Sequence, residues 1–458
     1  MPDALSTRLL RCRSARLLAL CLLLGAGLSV TACRQDVTEI TGAKRPGDTT
    51  STGGGGNSGG GGGSVQRATL TVTVGVAPED TALARTLGLA TGVLPGAEVT
   101  ITRRGTASSR QTATADAAGV VKFAELLPGV YSVSVQRALA AAEAARLGAE
   151  NADVTAFGGG GEILVEAPAA SGRVEAVLGR RGSLVISEIY EYAPPTASFL
   201  THPHGTYLEL ANNADTTIYL DRKVVGKVME VSLRDLAPNF PCTETAKYRT
   251  DVAGLWTRAL WQFPGAGREY PLAPGKAVIL ATDAIDHRVF NPGLLDLSGA
   301  DFEFVGTAED VDNPFVPNII ALGSDNGSIF GHGPEFRGIG PQVVFVGEPL
   351  DGPVTGLPQD RLRVTDQVFW RYPREKLLDV YSEWFAPGVF DESLPECQPM
   401  IHPDYDRRRA ALGAIADAGA VRRRVFAVQA DGRVILQRTR TSARDFERVP
   451  APTPKQLP

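Results

Sequence analysis

The sequence predicts an all-β protein made of two β-sandwich domains, and three observations lead there. Fifty glycines and thirty-one prolines among 458 residues, with only three methionines, suit many short strands and turns better than long helices. Short runs alternate apolar and polar residues, as half-buried strands do, beginning with Ala68-Thr69-Leu70-Thr71-Val72-Thr73-Val74. Pro-Gly and Asp-x-x-Gly turns separate those runs.

The chain opens on a basic stretch with Arg8, Arg11, Arg13 and Arg16, followed by Leu17 to Val30, fourteen mostly apolar residues without charge. That is the length of a signal-peptide core and is short of the ~20 residues a membrane-spanning helix needs. Small residues then lead to a cysteine in Val30-Thr31-Ala32-Cys33. This resembles the bacterial lipobox, which implies a lipoprotein signal peptide over residues 1–32 and acyl chains, palmitate among them, on Cys33 as the mature N-terminus. About two buried chains anchor a protein stably. Arg34-Gln35 lacks the aspartate that keeps many lipoproteins in the inner membrane, so the expected location is the outer membrane of a bacterial envelope.

Cysteine usage agrees with export. Cys12 and Cys21 fall in the segment to be removed, leaving Cys242 and Cys397 as thiols. An oxidising compartment suggests one disulfide between them, and two unpaired buried thiols are the alternative. Neither has a CxxC partner for a metal. Loss of residues 1–32, with four arginines and one aspartate, moves the net charge from −5 to −8, which argues against a nucleic-acid partner.

Residues 33–65 are polar and then nearly pure glycine and serine, including Gly53 to Gly56 and Gly59 to Gly63, and read as a flexible tether. The first sandwich is expected over 66–180. After Ala68 to Val74 come Leu94-Pro95-Gly96-Ala97-Glu98-Val99-Thr100-Ile101-Thr102, then Thr112 to Gly119 leading into Val120 to Phe123, then Leu126-Leu127-Pro128-Gly129 turning into Val130 to Val135. Ala138 to Leu147 is alanine-rich and reads as a short helix. Gly158 to Gly161 reads as a turn or loop, and Glu162 to Glu166 and Arg173 to Leu178 close the sandwich. The segments PGAEVTI, TADAAGVVKF and LLPGVYSVSV resemble the carboxypeptidase regulatory-like, transthyretin-type sandwich, whose members are spacers and not catalysts.

A second domain is expected over 183–450, with a polar tail at 451–458. It opens with a strand at Ser183 to Tyr190, then Thr206-Tyr207-Leu208-Glu209-Leu210-Ala211-Asn212-Asn213 and Asp215 to Asp221. With Tyr270 to Ala281, where a Pro-Gly turn precedes a strand, this rhythm resembles the immunoglobulin-like lamin-tail domain. The chain here also resembles an uncharacterised bacterial lipoprotein family, domain of unknown function 4876. The segments carrying that likeness are Asp296 to Glu303, Asp312 to Asn318, and Gly432 to Arg438 through Ser442 to Glu447. The family brings no activity with it.

Several constellations carry two readings each. Glu188 and Glu209, on adjacent predicted strands, either converge as an acid–base pair or are edge or outward-facing strand residues. Glu309, Asp310 and Asp312 offer oxygens to a calcium ion but lack EF-hand spacing, so a solvated acidic turn competes. Trp256, Trp261, Trp370 and Trp384, with Tyr372 and Tyr381, form either a binding platform or ordinary core. His202-Pro203-His204 lacks further metal ligands and reads as a polar loop. Arg407 to Arg409 and Arg422 to Arg424 either meet phosphate or are solvated surface, the simpler reading. Outside the glycine- and serine-rich tether no G-x-S-x-G, P-loop or dinucleotide motif occurs, and no cofactor is implied. The expectation is a non-enzymatic binding or scaffold module. Its partners are membrane lipid through acylated Cys33 and an outer-membrane protein or extracellular glycan or peptide. A hydrolase or hydrolase accessory and a purely structural envelope protein are the alternatives.

Overall fold

Alternation at Ala68–Val74 produces a strand in which Leu70, Val72 and Val74 are wholly buried while the intervening threonines stay partly exposed. The computed structural model describes residues 66–89, 92–106, 109–147, 154–180, 182–190, 205–228, 247–248, 250–290, 292–304, 312–324, 342–362, 367–383, 401–410 and 419–458. The signal segment, Cys33, the tether, Cys242, Cys397, Glu309, Asp310, Trp384 and the His202–His204 pair lie outside those residues.

Seven strands build the first sheet: β1 (Ala68–Val76), β2 (Glu98–Arg103), β3 (Gln111–Thr114), β4 (Val120–Leu126), β5 (Gly129–Ala138), β6 (Val154–Val165) and β7 (Ala169–Arg180). Their order is β3-β2-β5-β6-β7-β1-β4, with β1 and β7 parallel and the other neighbours antiparallel. Val99, Ile101, Phe123, Val135, Phe157 and Ala176 fill its core. The alanine-rich segment forms a helix at Ala141–Ala144 and a 3-10 turn at Ala145–Leu147. Gly158 to Gly161 are not a loop, as their composition suggested, but the middle of β6. A Cβ on Gly158 would lie 2.6 Å from the Phe426 ring, and one on Gly159 would lie 2.5 Å from the Glu175 carbonyl oxygen. These glycines serve close approach, not bending.

The second half supplies β8 (Leu184–Tyr190), β9 (Tyr207–Asn212), β10 (Ile218–Tyr219), β11 (Val224–Val228), β12 (Gly254–Gln262), β13 (Pro271–Leu272), β14 (Ala277–Ala281), β15 (Phe302–Phe304) and β16 (Asn318–Ser324). It continues with β17 (Gln342–Gly347), β18 (Gln359–Leu362), β19 (Gln367–Pro373), β20 (Leu377–Glu383), β21 (Ala420–Arg423), β22 (Val425–Val428), β23 (Val434–Leu436) and β24 (Phe446–Val449). Thirteen of these form one sheet ordered β20-β17-β11-β12-β16-β15-β14-β9-β8-β21-β24, with β19 pairing β12 and β18 pairing β19. Leu184, Ile186 and Ile189 of β8 share a core with Val344 and Val346 of β17 and Tyr381 of β20, so the sheet folds back on itself as a sandwich. Burying each such side chain contributes about 1.5–3 kcal/mol.

A bulge controls what the other face of β8 presents. Ile186 pairs with Leu210, but Glu188 pairs with Glu209, leaving Ser187 as the extra residue. Parity therefore flips. Leu184, Ile186 and Ile189 point into one core, whereas Glu188 and Tyr190 share the opposite side with Tyr207 and Glu209.

The two sheets are joined by the hairpin β22–β23. It packs on β5 and β6, with the Phe426 ring seated against Gly158 and Gly179. Val428 donates its N–H to Ser134 Oγ at 3.0 Å, and Arg110 reaches the Gln429 carbonyl at 2.9 Å. Asp80 Oδ2 accepts the Leu178 N–H at 2.9 Å and pairs with Arg444 at 3.0 Å. The Arg180 N–H closes the seam on the Arg438 carbonyl at 2.9 Å. Residues 64–458 thus cluster as one compact unit.

Candidate functional site

The most distinctive chemistry lies where β8 and β9 meet the end of the chain. Glu188 and Glu209 are 1% and 2% exposed, so neither is the outward-facing strand residue of the simpler reading. They sit directly opposite each other across the bulge. Buried carboxylates need donors, and here the C-terminal segment supplies many of them. Thr453 donates its N–H to Glu188 Oε1 at 2.8 Å and its hydroxyl to Oε2 at 2.9 Å, while Tyr207 donates its hydroxyl to Oε1. Lys455 donates its N–H to Glu209 Oε2 at 2.6 Å, and Ser187 donates to Oε1 at 2.7 Å.

The expected polar tail at 451–458 is therefore a strap. Lys455 Nζ pairs with Asp301 at 2.9 Å, and Leu457 packs on Val185, Ala211 and Leu436. Burial, opposed by the Ser187 and Lys455 hydrogen bonds and reinforced by the negative charges of Glu188 and Asp301, pushes Glu209 up to about 7. Burial and the adjacent Glu188 also drive the Tyr207 hydroxyl well above its ordinary range. A pair closed off this way is not reachable by a substrate while the strap is in place.

Other buried acids have structural partners. Glu303 accepts the Ala284 N–H at 3.0 Å and the Asn313 N–H at 2.9 Å, pinning the loop that holds Asp312. Asp312 itself is exposed, and its Oδ1 accepts from Asn318 at 2.7 Å. Among the described residues no group of three or more His, Cys, Asp and Glu is arranged to hold a metal ion.

Among the described residues, the tryptophans do not gather into one platform. Trp261 is 6% exposed in the core beneath β8 and β9, and Trp370 is 8% exposed in a second core with Leu260, Phe345 and Tyr372. Trp256 is half-buried; its Nε1 donates to Asp251 at 2.8 Å, its ring meets Tyr248 edge-on at 5.3 Å, and Arg371 lies over it.

The basic run at 422–424 departs from the solvated reading. Arg423 is completely buried. It donates to the Ile186 and Gln437 carbonyls, forms an ion pair with Asp379, lies 3.6 Å from Asp445 and stacks 4.2 Å above the Phe446 ring. Asp379 also accepts the Ile186 N–H at 2.9 Å and approaches Arg438 at 3.4 Å. Burial raises the Asp445 carboxyl, with Arg423 pulling the other way. Arg422 and Arg424 flank it at the surface and pair with Glu447. Arg407 and Arg408 are exposed, in keeping with a solvated loop. Nothing in a bare Arg-Arg-Arg run separates these fates; the alternation of β21 does.

Asp406 is a further buried acid that composition did not flag. Its Oδ1 accepts the Ser442 and Arg408 N–H groups at 2.9 and 3.1 Å, and Oδ2 accepts from Ser382 Oγ. Burial outweighs these bonds and pushes it up to about 6 from 3.8. The folded protein then holds a proton that the unfolded chain has lost. Its stabilisation is full below about pH 4 and disappears as pH rises through about 6. Asp406→Asn can keep every bond, with Nδ2 donating to Ser382. It should remove roughly 2–3 kcal/mol of this pH-dependent loss, measured by urea unfolding at about pH 4 and about pH 8. Identical pH dependence in both proteins would refute the assignment.

One open cleft of about 570 Å³ lies beside the strap, lined by Asp215, Lys276, Asp431, Arg433 and Leu457. Arg433 is held by Asp215 and by the Ala214 carbonyl at 2.7 Å, whereas Lys276 and Asp431 are exposed. No described helix is long and apolar enough to cross a membrane.

Residues 273–334 match the family described as "Protein of unknown function (DUF4876)". That span takes in β14 to β16 and two of the three segments that carried the resemblance in the sequence, Asp296–Glu303 and Asp312–Asn318; the third, Gly432 to Glu447, lies outside it. A DUF4876 family protein from Bacteroides thetaiotaomicron VPI-5482 is similar at 17% identity and TM-score 0.47, over 85% of this chain and 98% of that one. The major pilin subunit BcpA of Bacillus cereus is similar at 8% identity and TM-score 0.17, over 71% and 97%. A streptococcal ancillary pilin is similar at 10% identity and TM-score 0.16, over 48% and 54%. No curated protein matches.

Proposed function

We propose that this chain, which carries a DUF4876 segment across β14 to β16, is a lipid-anchored, non-enzymatic binding or scaffold module of the bacterial envelope. The observation that carries the non-enzymatic half is the fate of the carboxylates: Glu188 and Glu209 are capped by the strap, and Glu303 by backbone N–H groups. Each holds a segment of the fold in place, and a hydrolase needs such a pair open to water and substrate. The cleft with exposed Lys276 and Asp431 is the concave surface that a polar partner, such as a glycan or peptide, would meet.

Attachment rests on Val30-Thr31-Ala32-Cys33 and on the glycine-rich tether that follows. Two or more acyl chains on Cys33 would hold the protein at the membrane, and the tether would let the folded part stand off its surface. Cys33→Ala tests this. The variant should leave the detergent phase and the membrane pellet, whereas the native protein partitions into both. A variant that remains in the pellet would overturn the anchor.

A further inference from the structure

In the first sheet, β6 and β7 leave an edge uncovered. They pair only where Val154–Gly158 meets Val177–Arg180. Beyond that point β7 pairs with β1 over Ala169–Ala176, and β6 keeps β5 alone. The Leu139 N–H donates to the Thr155 carbonyl at 2.9 Å in register with the β5–β6 ladder, so alternate residues through Gly159, Gly161 and Ile163 face β5. Gly160, Glu162 and Leu164 therefore turn their N–H and C=O groups away from it. Among the described residues, none of those backbone groups has a hydrogen-bond partner.

Sheets blunt open edges with short strands, charges, prolines or bulges. The other outer strands of this sheet do so. β3 is four residues long, β4 carries exposed Lys122 and pairs with β1 through an irregular register at Ala68–Leu70, and the first half of β7 carries Arg173 and Glu175. From Gly159 to Leu164, β6 is protected by Glu162 alone and leaves Leu164 58% exposed. Gly158 and Gly159 lie against neighbouring atoms, but a Cβ on Gly161 would meet nothing within 4 Å, so side chains of an added strand have room there.

We propose that Gly159–Leu164 of β6 is a docking edge for an extended segment of a partner protein that carries a lysine or arginine opposite Glu162 and pairs as an added strand. Outward N–H and C=O groups at every second residue match the repeat of a strand. The Glu162 carboxylate is available for pairing: it is 54% exposed, and its one cation, Arg104, stands 3.9 Å away and is 74% exposed. Leu164 lies on the same outer face and takes an apolar residue of the added strand. A second copy of this chain fits less well. The antiparallel register that pairs all three outward residues sets Glu162 directly against its counterpart, and like charges so placed oppose pairing. The edge shares no residue with the cleft lined by Lys276 and Asp431, so either surface can fail without the other.

Fluorescence anisotropy of the full-length protein with two labelled nine-residue peptides tests the edge. One is Thr-Thr-Val-Thr-Lys-Thr-Val-Thr-Thr, and the other has glutamate in place of the central lysine. The native protein should bind the lysine peptide roughly 2–5-fold more tightly than the glutamate peptide, and Glu162→Lys should reverse that order. Glu162→Pro removes one outward N–H while leaving the bonds to β5, and should weaken binding of the lysine peptide by about tenfold or more. No saturable binding of either peptide by the native protein overturns the proposal, as does an affinity unchanged in Glu162→Pro. If Glu162→Pro does not fold, Glu162→Lys decides: the same preference as the native protein overturns the assigned partner chemistry. Self-association of the native protein in sedimentation, abolished by Glu162→Pro, would give the edge to a second copy and overturn it equally.

Discussion

Arg423→Ala is expected to lower the unfolding free energy by about 3–5 kcal/mol, the usual cost of removing one partner from a buried ion pair. The guanidinium is completely buried and ties three parts of the chain together: the Ile186 carbonyl of β8, Asp379 of β20 and the Gln437 carbonyl beyond β23. Its loss leaves Asp379 and Asp445 facing each other's charge in a dry site and removes the cation from the Phe446 ring. Arg423→Lys should recover only part of this, because a point-like ammonium cannot reproduce three donors in a planar fork. Urea unfolding at pH 7 measures both. A loss below about 1 kcal/mol for Arg423→Ala would mean that water or a rearranged Arg438 replaces the guanidinium.

The second large effect is expected at the seam between the sheets. Phe426→Ala should destabilise the protein by about 3–4 kcal/mol and make the two sheets melt in two thermal transitions, where one is expected for the native protein. The ring is 6% exposed and fills the space above Gly158 and Gly179, so truncation leaves a cavity against a glycine floor that cannot fill it. The other ties include the Asp80–Arg444 pair, the Arg180–Arg438 backbone bond, the small Ala427 packed with Ala77, Ala156 and Val177, and hydrogen bonds at the part-exposed edge. Gly158→Val attacks the same seam from the other side and should act in the same direction. Calorimetry decides the matter: one transition at the native midpoint in Phe426→Ala would show that the hairpin does not couple the sheets.

Much of the strand layout is legible along the chain. Runs such as Ala68–Val74, Val130–Val135 and Tyr207–Asn212 alternate with period two, and the structure makes each a strand. Gly96, Gly119 and Gly275, which the turn chemistry marked, adopt positive φ. The errors share a cause. Gly158 to Gly161, Arg423 and the tail at 451–458 have local compositions typical of turns and surfaces, but each is occupied by something distant in sequence. Phe426 lies on Gly158, Asp379 on Arg423, and Glu188 and Glu209 on the tail. A window of neighbouring residues contains no trace of these partners.

By itself, the sequence determined the all-β class, where the strands and turns of the first sheet and the opening strands of the second half fall, and that Glu188 and Glu209 lie on adjacent strands. Those properties follow from side-chain periodicity and from the backbone freedom of glycine and proline, both of which act over a few residues. Only the tertiary structure decided which way the two glutamates face and what covers them. A one-residue bulge at Ser187 reverses the parity of β8, and the chain end, about 265 residues further along, supplies the donors that allow both carboxyls to be buried.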